Sequence, residues 1–455
     1  MLRTSFELRR RFAQLAPLWS AFALIVGGAG SVAAQDFEAA PISYSKSTPT
    51  DRVARLAADM KAGKRALRYE PEFGYLRSLL KELEVPLSSQ TLVFSKTSLQ
   101  RNLIKAATPR AIYFSDDAYV GYCQDGEVLE ISVVDDKLGA VFYTVSQHAP
   151  AKDGKSSDAI STANESKFAP LPVRQTDHCL ICHASSATRN VPGHTLRSVY
   201  SDAAGYPILS SGTYRTDQTS RFEHRWGGWY VTGTHGDMQH LGNYVHDGYG
   251  NPERADHSGG WNVKSLKKLF EVDAYPTPHS DIVAHLVLAH QTEAHNCITQ
   301  AGFGVRQAME YQTNLNRELG EPIDQLREST TSRIKSVCEP LVEYLFYCEE
   351  APLGGKVVGT STFAQEFAAQ GPRDKQGRSL RDFDLERRMF KYPCSFLVYS
   401  SSFQALPKEA KQYVYRRMKE VLTGKDDSKT FKHLSVDDRR AISEILAETL
   451  PDFRK

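Results

Sequence analysis

The run CLICH at residues 179–183 constrains this chain more than any other part of its 455 residues. Two thiols three residues apart, followed at once by an imidazole, are the attachment signature of a c-type haem. Both sulfurs can form thioethers with the vinyl groups of one haem, and the histidine can then supply an axial nitrogen to the iron. The pattern therefore predicts one covalent haem c, attached through Cys179 and Cys182 and ligated by His183.

A redox-active C-x-x-C pair and half of a zinc site are the alternative interpretations of this run. A zinc ribbon would need a second C-x-x-C, which the sequence lacks. A thioredoxin-like pair would open a helix, whereas the residues after His183, Ala-Ser-Ser-Ala-Thr-Arg-Asn, are poor helix formers. Haem is favoured because the three-part pattern is far more restrictive than a lone C-x-x-C.

The first 34 residues have the pattern of a secretory signal peptide. Arg3 and the run 9–11 form a basic start, an apolar stretch follows from about residue 15 to 26, and Val-Ala-Ala closes it at 32–34. We expect cleavage after 34, a periplasmic or otherwise exported mature chain, and no transmembrane anchor after cleavage. A twin-arginine signal and an uncleaved membrane anchor are the less favoured interpretations.

The charge balance limits the partners of the mature chain. The whole chain carries a formal charge of +2, and residues 1–34 contribute four Arg and one Glu, so the remainder is close to neutral. A neutral chain offers no electrostatic case for nucleic-acid binding. We expect instead a redox partner protein in the periplasm.

The apolar patterns predict an α+β fold, with a β-rich, haem-bearing N-terminal half and a mostly helical C-terminal half. Leucines recur at helical spacing within 51–84, and short β-prone runs separated by Asp and Gly turns fill 110–146. We expect a helical segment plus an antiparallel β meander over 35–148, a haem-attachment region with aromatic strands over 149–262, and a helical domain over 263–455.

The helices of the C-terminal half can be placed from caps and breaks. Thr277 is a candidate N-cap with Pro278 at the first helical position. Glycines near 302 and 304 predict a break between helices at 280–300 and 305–319. Further helices are expected at 323–349, 383–392, 407–422 and 435–448.

A sixth iron ligand, if the chain supplies one, is predicted within residues 234–243. Twelve of the fourteen histidines lie between 178 and 295, and one methionine lies near the motif. His235, Met238 and His240 crowd one glycine-containing turn after an aromatic run that begins at Trp226. The alternative is a tight turn whose histidines bond backbone groups.

A second metal site is conceivable on the helix that follows. His290, Glu293 and Cys297 share one helix face at i, i+3 and i+7. A polar helix face packed over the haem region is the more ordinary interpretation. The chain has neither H-E-x-x-H nor the paired Glu-x-x-His of a di-iron bundle.

A signal peptide followed by C-x-x-C-H resembles exported bacterial c-type cytochromes. The chain is not similar to the compact class I cytochromes c, which carry the motif on an N-terminal helix. The stretches 109–143, 225–243 and 378–400 are similar to large cytochrome c domain-containing exported proteins. The resemblance implies haem attachment, with Cys179 and Cys182 as thioethers and His183 as axial ligand.

Three functions remain open at this point. We expect electron transfer by a monohaem c-type cytochrome. A haem-dependent oxidoreductase of the peroxidase type is the first alternative, with His235 or His240 and Arg225 as distal acid–base groups. A haem-based sensor of a small ligand, read out by the helical half, is the second.

Overall fold

A seven-stranded antiparallel sheet organises the N-terminal half. The structure is a computed structural model that describes residues 36–96, 98–150 and 170–454. The predicted signal peptide at 1–34 lies outside the described residues. The strands are β1 Thr91–Val93, β2 Arg110–Phe114, β3 Ala118–Tyr122, β4 Val128–Asp135, β5 Gly139–Ser146, β6 Val173–Gln175, β7 Arg197–Ser198, β8 Tyr214–Arg215, β9 Trp229–Tyr230, β10 Gly233–Thr234 and β11 Val358–Gly359. The seven-stranded sheet has the order β6-β5-β4-β3-β2-β1-β9.

The C-terminal half is built from helices. Its longest member runs without a break for 37 residues. The helices of the whole chain are α1 Arg52–Lys61, α2 Leu76–Glu82, α3 His178–His183, α4 Ile282–Glu318, α5 Glu328–Leu345, α6 Phe363–Ala369, α7 Ser401–Gln404, α8 Lys408–Leu422, α9 Val436–Thr449 and α10 Pro451–Arg454. The sheet followed by helices confirms the predicted α+β fold class, which is not that of a compact class I cytochrome c.

The two faces of the sheet pack against different parts of the chain. Alternate residues of β4, including Leu129 and Ile131, join an apolar cluster with Leu56 of α1 and Leu76 of α2. The opposite face contributes Phe114 and other residues to a larger cluster with the C-terminal helices. Residues from all three predicted regions meet in these two clusters, and the residues that the structure describes form one compact unit. The boundaries at 148 and 262 stay predictions.

The predicted break near Gly302 is wrong, because α4 is a single helix. A Cβ at Gly304 would lie 2.7 Å from Val337 Cγ1 of α5, and one at Gly302 would lie 3.3 Å from Leu406. These glycines therefore allow close packing and do not end the helix. The predicted start at Thr277 is also wrong, since Asp281 caps the helix by accepting from the N–H groups of its first turn.

The helix predicted at 383–392 is absent as well. Phe383 and Phe390 instead pair as an antiparallel bridge. Asp384 Oδ1 accepts from the N–H groups of Glu386 and Arg387, and Leu385 has φ +57°. An aspartate that bonds the following backbone favours such a turn over a helix.

Neither a membrane span nor a disulfide occurs among the described residues. No helix there is long and apolar enough to cross a bilayer. All seven cysteines are free thiols, and five of them are buried. Those five are Cys123, Cys297, Cys338, Cys348 and Cys394.

Candidate haem-attachment site

The CLICH run and the preceding His178 form α3, a six-residue helix that lies against the sheet. Tyr119, Ser132 and Phe142 are paired in register across β3, β4 and β5. They therefore point to one face, because successive strand residues alternate between faces. The ring of Phe142 lies 4.9 Å from the ring of His183, centroid to centroid, so this face supports the imidazole.

His183 is held by a reciprocal contact with Gly193. Its Nδ1 lies 2.9 Å from the Gly193 carbonyl oxygen, and the Gly193 N–H donates to the His183 carbonyl at 2.8 Å. A carbonyl oxygen only accepts, so Nδ1 carries the proton and Nε2 keeps its lone pair. Nε2 makes no hydrogen bond within the described ranges. Burial lowers the pKa of this half-buried imidazole, and the bond to Gly193 opposes that shift.

The loop that carries Gly193 is fixed from the other side by α4. Asn296 Oδ1 accepts from the His194 N–H at 2.8 Å, and Asn296 Nδ2 donates to the His194 carbonyl at 2.7 Å. A Cβ at Gly193 would lie 2.2 Å from Asn296 Oδ1, so only glycine permits this approach. The long helix thereby positions the hydrogen-bond acceptor of His183.

The two thiols of α3 differ in exposure. Cys179 is half-buried and Cys182 is exposed. They are three residues apart on a helix, so they lie on neighbouring parts of one surface. Burial first, and then the nearby Glu130 carboxylate, raise the pKa of Cys179 to about 11. Ile181 between them is 74% exposed, an unusual position for a large apolar side chain.

A largely buried ion pair lies close to the motif. Arg110 Nη2 is 2.7 Å from Glu130 Oε2, on neighbouring parts of β2 and β4. A Cβ at Gly121, in the strand between them, would lie 2.2 Å from Arg110 Nη2, so this glycine makes room for the guanidinium. The charges of both residues act on the pKa values of Cys179 and His183.

The residues present fit a covalently attached haem. The donor set has two free thiols at the required spacing and an imidazole whose Nδ1–H is anchored to a backbone carbonyl. Metal-ligating histidines usually donate their second nitrogen in this way, which fixes the tautomer and the orientation of the ring. The exposed Ile181 offers apolar surface that a haem would cover.

The candidate iron-ligand atoms of the segment 234–243 accept hydrogen bonds from other parts of the protein. His235 Nε2 accepts from the Asn262 N–H at 3.0 Å, and His240 Nδ1 accepts from the Gly242 N–H at 3.0 Å. Met238 Sδ accepts from the Gly354 N–H at 3.1 Å. The proton of His235 is therefore on Nδ1, and the proton of His240 is on Nε2.

This segment follows the far edge of the sheet. His183 packs on Phe142 of β5, whereas 234–243 comes after β9 at the other end of the strand order. Five strand spacings separate β5 from β9, which is roughly 24 Å. The structure does not bring His235, Met238 or His240 to His183. Ligation by this segment stays a prediction and requires a rearrangement when haem is attached.

His290, Glu293 and Cys297 share the face of α4 that the sequence indicates, but the first two bond other residues and Cys297 is buried in the apolar core. His290 bonds Gln218 through Nδ1 at 2.6 Å and Ser395 through Nε2 at 2.8 Å. Glu293 Oε1 pairs with the Arg189 Nε at 2.7 Å. Across the described part of the chain, no group of three or more His, Cys, Asp or Glu side chains is arranged to hold a metal ion.

Several residues of the site carry no signal in the sequence. Phe142 and Gly193 are ordinary residues of a strand and a loop until folding places them beside His183. His194 is buried, with its Nε2 2.7 Å from Ser132 Oγ and its ring 4.3 Å from that of Tyr119. Arg110 and Glu130 could be found only by knowing how β2 and β4 lie in the sheet.

No protein-family model, no curated protein and no solved structure matches this chain. Its function is therefore inferred from the geometry of its own residues.

Proposed function

We propose that this chain is an exported monohaem c-type cytochrome that transfers electrons to or from a partner protein in the periplasm. One haem c would be attached through Cys179 and Cys182 and ligated by His183. Haem bound here supplies a one-electron iron couple. The signal-like residues 1–34 support export, and the near-neutral mature chain gives no reason to expect nucleic acid as a partner.

The observation that carries this proposal is the hydrogen bond from His183 Nδ1 to the Gly193 carbonyl. An imidazole fixed in this tautomer presents an unprotonated Nε2, which is the atom an axial ligand needs. The same support would suit a histidine bound to zinc, so the two free thiols at the C-x-x-C-H spacing are what favour haem over zinc.

Haem can be attached only when both cysteines are reduced thiols. When a thiol adds across a vinyl group, sulfur bonds to one carbon and the thiol proton goes to the other, so no oxidant is consumed. Cys179 and Cys182 are both free in the structure. The exposed Cys182 and the half-buried Cys179 would each bond one of the two vinyl groups of the same haem.

Electron transfer is favoured over a peroxidase because the proposed distal groups are committed elsewhere. The Arg225 guanidinium is buried and donates to the carbonyls of Ser220 at 3.0 Å and Gln218 at 3.3 Å. Burial lowers its pKa to about 10. His235 and His240 accept backbone N–H groups, as described above. A peroxidase needs such groups free to exchange protons beside the iron.

A second candidate, a haem-based sensor of a small ligand, is favoured by one observation. The candidate iron-ligand atoms of 234–243 are hydrogen-bonded within the protein. The face of the haem opposite His183 would then be open to an external ligand. Carbon monoxide separates the two functions. An electron carrier with ligands on both faces leaves the reduced spectrum unchanged by carbon monoxide, whereas rapid binding with a large spectral shift establishes the sensor or an oxidoreductase.

Denaturing gels stained for haem peroxidase activity test attachment itself. The proposal expects a stained band at the mass of the protein, lost when both Cys179 and Cys182 are changed to Ser. The buried Cys394→Ser is a matched control that removes a thiol outside the motif and leaves the band in place. Zinc without iron in the purified protein would contradict the proposal.

A further inference from the structure

A cleft of about 830 Å³ lies between the loop that follows α3 and the C-terminal helices. This volume is in the range of small-molecule sites. Arg189 and Arg215 line one side, and the end of α5 with the segment up to residue 352 lines another. Cys179, Cys182 and His183 do not line it, so the cleft is separate from the haem-attachment site.

Tyr347 in the wall of this cleft has an unsatisfied hydroxyl group. The residue is only 1% exposed, and its Oη has no hydrogen-bond partner within the described residues. A buried hydroxyl without a partner is costly, and native proteins rarely keep one without a reason. Tyr347 lines the cleft, so a ligand bound there is a candidate for the missing partner.

The backbone around Tyr347 is held in an unfavourable conformation. Tyr347 has φ +58° and Glu349 has φ +60°, although neither is glycine. Both residues line the cleft. Tyr347 is the left-handed residue that ends α5, where the Cys348 N–H donates to the Glu343 carbonyl at 3.1 Å, so its conformation fixes how this wall of the cleft leaves the helix.

Basic side chains supply the charge of the site. Five line the cleft, and Arg189 and Lys429 are among those with N–H groups to spare within the described residues. Arg189 donates to Glu293 through Nε, which leaves both Nη groups available, and Lys429 Nζ has no partner there. The five are Arg189, Arg215, Arg387, Arg388 and Lys429.

Acidic residues also line the cleft, but two of the four are restrained. Asp217 Oδ1 accepts from the N–H and hydroxyl of Thr219. Glu350 Oε1 accepts from the Met389 N–H at 2.9 Å, and burial raises the pKa of Glu350 to about 7. Their repulsion of an anion is therefore reduced, while Glu343 and Glu349 remain at the other side to receive a hydroxyl or amine group.

We infer that this cleft binds a small polar organic molecule through an oxyanion, either a carboxylate or a phosphate. Arg189 and Lys429 hold the oxyanion, and the Tyr347 hydroxyl bonds another oxygen of the ligand. Guanidinium and ammonium groups suit both kinds of oxyanion. The inference goes beyond electron transfer and does not depend on it, since no group of the haem-attachment site takes part.

Isothermal titration calorimetry on the full chain tests the inference with two probes, succinate and inorganic phosphate, at constant ionic strength. We expect saturable binding of at least one probe. Tyr347→Phe and Lys429→Gln should each weaken that binding about tenfold, the loss expected for one hydrogen bond to a charged group. Succinate alone would identify a carboxylate ligand, and phosphate alone a phosphorylated one.

Matched variants separate recognition from a general effect on the fold. Tyr415→Phe removes another buried tyrosine hydroxyl outside the cleft, and Lys432→Gln removes an exposed charge three residues from Lys429. Both should bind like the unchanged protein. Failure of both probes to bind, or binding that survives Tyr347→Phe and Lys429→Gln together, overturns the inference. Lys429 is exposed, so its variant keeps the test valid if Tyr347→Phe fails to fold.

Discussion

His183 and Gly193 hold each other by two hydrogen bonds, from the ring Nδ1 to the Gly193 carbonyl at 2.9 Å and from the Gly193 N–H to the His183 carbonyl at 2.8 Å. The first bond fixes which nitrogen of the imidazole carries the proton. The second closes the loop of nine residues between them. The proposed axial ligand and its support thereby lie in one continuous segment, which α4 then fixes through Asn296.

Replacing His183 tests the axial role. In His183→Ala we expect haem to remain attached, because thioether formation uses only the sulfurs, but the oxidised and reduced absorption spectra should both change. The exposed His178→Ala on the same helix is the control and should leave both spectra as they are. Unchanged spectra in His183→Ala would reject His183 as a ligand.

The close approach at Gly193 predicts a loss of stability on adding one methyl group. In Gly193→Ala the new Cβ displaces the Asn296 amide and breaks its bonds to His194, which should lower the free energy of unfolding by about 1–3 kcal/mol. Denaturant unfolding measures this. Gly259→Ala, where a Cβ meets no atom within 4 Å, is the matched control and should change stability little. Equal midpoints for the two variants would contradict the tight packing of this loop.

The ion pair of Arg110 and Glu130 should tune the reduction potential of an attached haem. A positive charge near iron favours the reduced state, so Arg110→Gln should lower the potential and Glu130→Gln should raise it. A change on the order of 1 kcal/mol, about 40 mV for one electron, is reasonable for a partly buried charge. Spectroelectrochemical titration gives the values. The exposed Arg68→Gln should leave the potential unchanged, and shifts of the same sign in both test variants would refute the electrostatic account.

Buried histidines on α4 should make the protein sensitive to acid. Burial lowers the pKa of His295 to about 4, below its ordinary value of 6.5. Between these values the unfolded chain binds the proton and the folded chain does not, so stability falls as the pH drops from 6.5 towards 4, by at most about 3 kcal/mol for this residue. Thermal unfolding across this range should be less pH-dependent in His295→Gln, whose amide can still donate to the Asp116 carbonyl that His295 Nε2 now bonds. The exposed His148→Gln should retain the full dependence. An identical pH profile in all three proteins would show that His295 does not contribute.

The sheet was predictable because its sequence signal is local. In β4, Leu129 and Ile131 alternate with Glu130 and Ser132, and turn residues mark both ends of the strand, so its two faces can be assigned from the sequence. The proposed attachment residues also come from a local signal, the C-x-x-C-H spacing, and their role stays a prediction. These features need no knowledge of distant contacts.

The residues that hold His183 in place were not predictable from the sequence, because they lie far from it in the chain. Phe142 precedes His183 by a strand and a loop, and Asn296 follows it on α4. The glycines of α4 were misread for the same reason. Gly304 indicates a break when only its helix propensity is considered, but α5 packs so closely there that a larger residue would meet Val337.

Intact mass spectrometry of the denatured protein, produced with haem-attachment machinery in an exporting host, tests the central claim most directly. The account predicts a mass equal to the chain after cleavage near residue 34 plus one haem. In Cys182→Ser, at most one thioether can form, and the double variant with Cys179→Ser should show the polypeptide alone. A chain that carries no haem with both cysteines intact, or one that keeps haem when both are replaced, would contradict the account.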